Sequence, residues 1–194
     1  LKDTGNELIM ILNELTLASG EWVLLALLCV VLVVDLFVED KNRIITYWLT
    51  LTTLAITALS VITNAPESAS LIFSGSYISD ELSVLLKTVS IISTAVIVFY
   101  SKEYLINNKL FKGEFFILVL FGLLGVMIMI SANSRLVMYL GLETLALSLY
   151  ALVALDRNSS IAAESAMKYF ILGAIASGSL LYGISWVYGV TGAV

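Results

Sequence analysis

Glu143 stands near the middle of the run Leu136 to Leu155, LVMYLGLETLALSLYALVAL, and is the only ionisable carboxylate or amine in that stretch. A charged residue at the centre of a membrane helix costs roughly 2.5 to 3.5 kcal/mol on insertion scales, so such a residue is a functional candidate by default. A neutral, protonated glutamic acid is cheaper to bury than the carboxylate. A carboxyl that changes between these two forms is what a proton relay requires. Arg135 lies eight residues away, about 12 Å along a helix, too far for Glu143 simply to snorkel to that interface. The alternative role is a static partner for a buried lysine or arginine.

Three further ionisable groups fall within or beside apolar runs. Lys168 sits in Glu164-Ser165-Ala166-Met167-Lys168-Tyr169, with Glu164 one turn before it on the same helix face. That order favours an ion pair. Two readings stand: an interfacial salt bridge, or a lysine that burial drives toward its neutral form and Glu164 holds toward its charged one. Lys87 lies seven residues after Asp80, and either snorkels outward or pairs with an acid inside a bundle. Asp35, near the end of the first run, is expected to reach water or a cation of the following loop.

Positioning these groups requires long apolar elements, and the chain is built of them. Of its 194 residues 60% are hydrophobic and only 13% charged, against about 25% charged in soluble proteins. Six runs approach the length of about 20 residues that a bilayer-spanning helix needs: 22–38, 44–62, 82–100, 115–130, 136–155 and 162–190. Period-two alternation is absent, which disfavours a β-barrel. The fold class is therefore an all-α, polytopic transmembrane helix bundle of about six helices. Residues 1–21, acidic rather than basic, read as an extracytoplasmic segment and not as a signal peptide. The start at Leu1 and the stop at Val194 read as the ends of a fragment.

Charge and cysteine usage remove other classes. There is no histidine, and Cys29 is the single cysteine, so neither an internal disulfide nor a cysteine-bound metal is expected. The net charge of −5 leaves no basic stripe for nucleic acid. Lys41, Arg43, Lys102, Lys109, Lys112 and Arg157 fall in one set of alternate loops, and Lys2 and Arg135 in the other. By the positive-inside rule the N-terminus is outside and the first set is cytoplasmic.

Between the runs, Asn64 to Glu81 holds the sole proline, Pro66, and reads as an ordered extracytoplasmic turn region. Ser101 to Glu114 reads as a basic inner surface loop. Gly173, Ala174, Ser177 and Gly178 form two overlapping small-xxx-small pairs suited to helix packing. Thr46, Thr50, Thr52, Thr53 and Thr57 either bond their own helix or line a hydrated path; the former is the expectation.

The strings GLETLALSLY (141–150) and ESAMKYFILGA (164–174) resemble the antiporter-like subunit N of bacterial proton-pumping NADH:quinone oxidoreductase, respiratory complex I, whose mitochondrial counterpart is subunit 2. Glu21-Trp22, Asp35-Leu36-Phe37, Asp80 with Lys87, and SWVYG (185–189) add to the likeness. The resemblance implies a fourteen-helix antiporter-like fold with inverted repeats, of which this chain is the N-terminal part. It implies that Glu143 and Lys168 are proton-relay residues, with Lys87 and Glu164 as tuning or further relay groups. A lysine that pairs with Glu143 would lie beyond Val194. It also implies that NADH, FMN, iron-sulfur clusters and quinone are held by other subunits, with no cofactor, metal or redox-catalytic residue in this chain. Partners would be neighbouring membrane subunits and the lipid bilayer, in a bacterial inner membrane rather than an organellar one. Two other readings are a subunit of a multisubunit sodium/proton antiporter and a purely structural packing segment of the membrane arm.

Overall fold

The computed structural model describes residues 14–39, 43–66 and 68–192. The first thirteen residues, with Lys2, and the loop position Lys41 of the topology count lie outside the described residues. Six long helices follow one another: α1 (Ser19–Phe37), α2 (Ile44–Thr63), α3 (Glu81–Asn107), α4 (Gly113–Ile130), α5 (Arg135–Val153) and α6 (Ser160–Thr191). All six are long and apolar enough to cross a membrane. A two-stranded hairpin, β1 (Ser70–Ile72) and β2 (Tyr77–Ser79), is inserted between α2 and α3.

Helix ends fall within a turn of the expected runs except at α3. There the helix continues through Ser101-Lys102-Glu103-Tyr104-Leu105-Ile106-Asn107, a stretch the sequence assigned to the inner loop. No glycine or proline interrupts it, and Leu105 is buried, which extends the packed stripe of Ile91 and Val98 by two more turns. Chain reversal waits for Asn108 and for Lys109, which takes the left-handed conformation at φ 56°. At the N-terminal side residues 14–17 are helical, and α1 begins at Ser19, less than a turn before Trp22.

Asp80 sets the start of α3 through a capping box. Its carboxylate accepts from Ser83 N at 2.8 Å while Ser83 Oγ accepts from Asp80 N at 3.0 Å. Inside the bundle α4 is the central element, contacting α1, α2, α3 and α5. Phe116, Leu120 and Met127, fully buried, pack with Leu24 and Leu28 of α1, Tyr47 and Leu54 of α2 and Ile91 of α3. α4 and α5 approach at backbone distance where Gly125 faces Gly141. The last helix packs on α5 and presents most of its remaining surface outward.

Polar stitches hold both ends. At one end the hairpin turn, with Phe73, Ser74 and Gly75 all at positive φ, is tied to the α4–α5 connection. Asn133 Nδ2 donates to Gly75 O at 2.7 Å, and Ile78 N donates to Ser131 O at 2.9 Å. At the other end Asp35 accepts from Thr46 Oγ1 at 2.7 Å and lies 3.8 Å from Arg43, the loop cation expected for it. Its carboxylate fills the space in which a side chain on Gly113 would stand, joining the starts of α2 and α4 to the end of α1. The hydroxyls of Thr50, Thr52, Thr53 and Thr57 all donate to carbonyls of their own helix.

Candidate functional site

Glu143 lies half-buried on α5 and faces α6. Helical spacing puts Tyr139 one turn before it on the same face. Ser177 of α6, itself buried, joins the two. Its Oγ donates to Glu143 Oε2 at 2.5 Å and lies 2.9 Å from the hydroxyl of Tyr139. A serine hydroxyl has one proton, so with that proton on Glu143 the second bond must be donated by Tyr139. The result is a directed chain, Tyr139 O–H to Ser177 O–H to the carboxylate. When Glu143 is itself protonated it can donate instead, and the same oxygens carry the chain in reverse.

A cleft of about 220 Å³, open on one side, borders this chain between α5 and α6 and is lined by Glu143, Ala146, Tyr150, Gly173 and Ser177 among others. Tyr150 is wedged edge-on against Tyr169 and Phe170, with ring centroids 4.9 and 5.6 Å away. Its hydroxyl occupies the place that a Cβ on Gly173 would take. The small pair Gly173/Ser177 thus serves the α5 contact and the carboxylate. The overlapping position Gly178 meets no atom within 4 Å, so close packing does not use it here.

Lys168 is not brought to Glu143. Its Nζ lies 2.6 Å from Glu164 Oε1 in an i,i+4 pair, with both side chains about two-thirds exposed. Lys87 turns inward rather than snorkelling. It is 3% exposed, pairs with Glu21 Oε1 at 2.7 Å, and donates to the hydroxyl of Tyr77 at 2.8 Å. Burial first, and the Glu21 carboxylate second, raise the pKa of the Tyr77 phenol well above its ordinary value. Glu21 and Tyr77 were not among the residues expected from sequence to matter. The sequence signal for Glu21 was its place at the head of an apolar run, and for Tyr77 there was none. Ser177 was read as a packing residue, and its hydroxyl chemistry was missed. Among the described residues no hydrogen bond or ion pair joins Glu143 to Lys87, Glu164 or Lys168.

The transmembrane family described as NADH:quinone oxidoreductase/Mrp antiporter matches residues 132–194, the stretch that carries Glu143, Ser177 and Lys168. NADH-quinone oxidoreductase subunit N of Thioalkalivibrio sulfidiphilus is 51% identical over 174 residues, covering 90% of this chain and 36% of that relative. Over 90% of its length the chain is similar to subunit N. Subunit N of Thiobacillus denitrificans is 50% identical over 177 residues, covering 91% of this chain and 37% of its own length. The chain thus spans little more than a third of the subunit N relatives it matches. Among solved structures, respiratory complex I from Thermus thermophilus with bound aureothin aligns with TM-score 0.73 at 26% identity, over 90% of this chain and 37% of that one. The membrane-bound sulfane sulfur reductase, an archaeal respiratory membrane complex, shares the fold with TM-score 0.69 at 23% identity, over 94% of this chain and 38% of its own. The membrane fold of this chain is therefore common to both complexes.

Proposed function

We propose that this chain forms part of the proton path in the membrane arm of an NADH:quinone oxidoreductase, with Glu143 as the group that holds the transferred proton. One observation carries the reading: a carboxylate set within an otherwise apolar run is joined to two hydroxyls in series, Ser177 and then Tyr139, beside an open cleft. A static buried acid would be matched by a cation, because an uncompensated buried charge is costly. A hydroxyl chain stabilises the carboxylate and also passes protons to it, since each hydroxyl donates and accepts.

In this reading Lys168, with Glu164, and Lys87 are further relay or tuning groups. Redox chemistry with NADH, FMN, iron-sulfur clusters and quinone takes place in other subunits, and neighbouring membrane subunits cover the outward faces of α5 and α6. The N-terminus lies outside and the chain crosses a bacterial inner membrane. The family description also names Mrp antiporters, which gives the sodium/proton antiporter reading some support. Identity of 50% to proteins named subunit N favours the oxidoreductase.

The test is proton pumping by the assembled complex in proteoliposomes, comparing wild type with Glu143→Gln at equal complex content. Loss of pumping with intact assembly is the expected result. Unchanged pumping would reduce Glu143 to a buried structural acid.

A further inference from the structure

The charged pairs of this chain differ sharply in burial. Arg157–Glu114 and Lys168–Glu164 have side chains at least 44% exposed, Arg43 and Asp35 are 22% and 12% exposed, and Lys87 and Glu21 are the most enclosed at 4% and 10%. Two charges enclosed this way lose their hydration, and packed apolar residues would serve stability as well or better. Glu21 also keeps unused hydrogen-bonding capacity, for beyond the ion pair of Oε1 with Lys87 neither carboxylate oxygen has a hydrogen-bond partner among the described residues. The carboxylate borders a small cavity of about 10 Å³, lined also by Ser19, Asn64, Ser79 and Lys87. That is about the volume one water needs, and the lining supplies the polar partners such a water requires. Asn64, whose Nδ2 donates to Ser19 Oγ at 3.0 Å in an exposed contact, lines the cavity at the hairpin end. On the far side Lys87 Nζ continues to the hydroxyl of Tyr77.

We propose that Glu21 and Lys87 form a second proton-holding site, distinct from Glu143, which exchanges protons with the aqueous phase at the hairpin end through a single water in this cavity. The inference rests on the reading of the chain as part of a proton path. In loading, an O–H bond of a hydronium in the cavity breaks, an O–H bond forms on Glu21 Oε2, and water is left behind. The carboxyl is then neutral beside a charged Lys87. Internal exchange moves a proton from Nζ to Oε1 across 2.7 Å and converts the ion pair into a neutral pair without change of net charge. The groups facing Glu21 are Lys87 from α3, Tyr77 and Ser79 from β2, Asn64 at the end of α2 and Ser19 of its own helix.

Two variants in the assembled complex separate this role from a structural clamp. Lys87→Arg keeps the positive charge but cannot release a proton. Glu21→Gln with Lys87→Met removes both charges together and leaves no unpaired ion buried. Complex yield, thermal midpoint and protons moved per NADH oxidised are measured in proteoliposomes, with Glu143→Gln alongside. The expected result is normal yield and a lowered proton-to-NADH ratio in at least one variant that assembles. A wild-type ratio in every variant that assembles, or loss of assembly in both, overturns the proposal and makes the pair a clamp between α1 and α3. If Glu143→Gln also keeps the wild-type ratio, the reading of the chain as part of a proton path fails as well, so the two failures are distinguishable.

Discussion

Replacing Ser177 by Ala removes the one hydroxyl that joins Tyr139 to Glu143, and leaves the rest of the α5–α6 contact in place. The side chain is buried, at 7% exposure, so bulk water does not replace the lost bond at the same point. A hydrogen bond to a charged group contributes about 1.5–3 kcal/mol. Expressed wholly in the barrier to proton transfer, that loss corresponds to about 10- to 150-fold slower transfer through this point. Ser177→Thr keeps a hydroxyl and is expected to stay near wild type. The assay is the initial rate of proton movement in proteoliposomes driven by NADH, at equal complex content, with thermal midpoints measured on the same preparations. A Ser177→Ala complex that pumps within about twofold of wild type, while Glu143→Gln does not pump, refutes the hydroxyl chain as the route and leaves Glu143 served from the open cleft.

Gly125→Ala would place a Cβ 2.6 Å from the carbonyl oxygen of Gly141 and 2.7 Å from Leu145 N, backbone atoms that no rotamer change can move. It is expected to cost about 1–3 kcal/mol and lower the thermal midpoint of the complex, whereas Gly178→Ala, with open space around it, should not. Tyr77 predicts an alkaline limit: its proton is held more tightly folded than unfolded, so the unfolded chain binds fewer protons once pH rises above about 10, and stability falls from there upward. Tyr77→Phe should remove about 1.4 kcal/mol per pH unit of that slope, read as a flatter dependence of the thermal midpoint on pH; an unchanged slope would refute the assignment.

How much of this was legible in the sequence differs by kind of interaction. Spans were legible because a bilayer imposes both a length and a composition on each helix. The added turns of α3 were not, because Lys102, Glu103 and Asn107 end the apolar run while the backbone continues toward buried Leu105. Glu143 announced itself by isolation, and Tyr139 was available from the four-residue spacing alone. Ser177 required knowledge of which face of α6 meets α5, and two overlapping small-residue pairs offered both faces. Lys87 sat too deep to ignore, yet choosing Glu21 as its partner depends on how the start of α1 meets α3, a tertiary fact that no local pattern encodes.

The carboxylates of Glu21 and Glu143 are solved differently, and the difference bears on which one responds to a signal. Glu21 has its ammonium partner within 2.7 Å and almost no free space, so its charge is matched from inside the chain. Glu143 is met by the Ser177 hydroxyl alone among the described side chains that bond to it, beside an open cleft of about 220 Å³. Hydroxyls conduct in either direction and set no preference between loaded and unloaded states. In a low-dielectric setting a cation brought to the open side of that cleft would set it, because charge–charge attraction there far exceeds a hydroxyl's contribution. Under the proposed proton path, a group that conducts without bias, next to an opening through which bias can arrive, would let a remote reaction control where the proton goes.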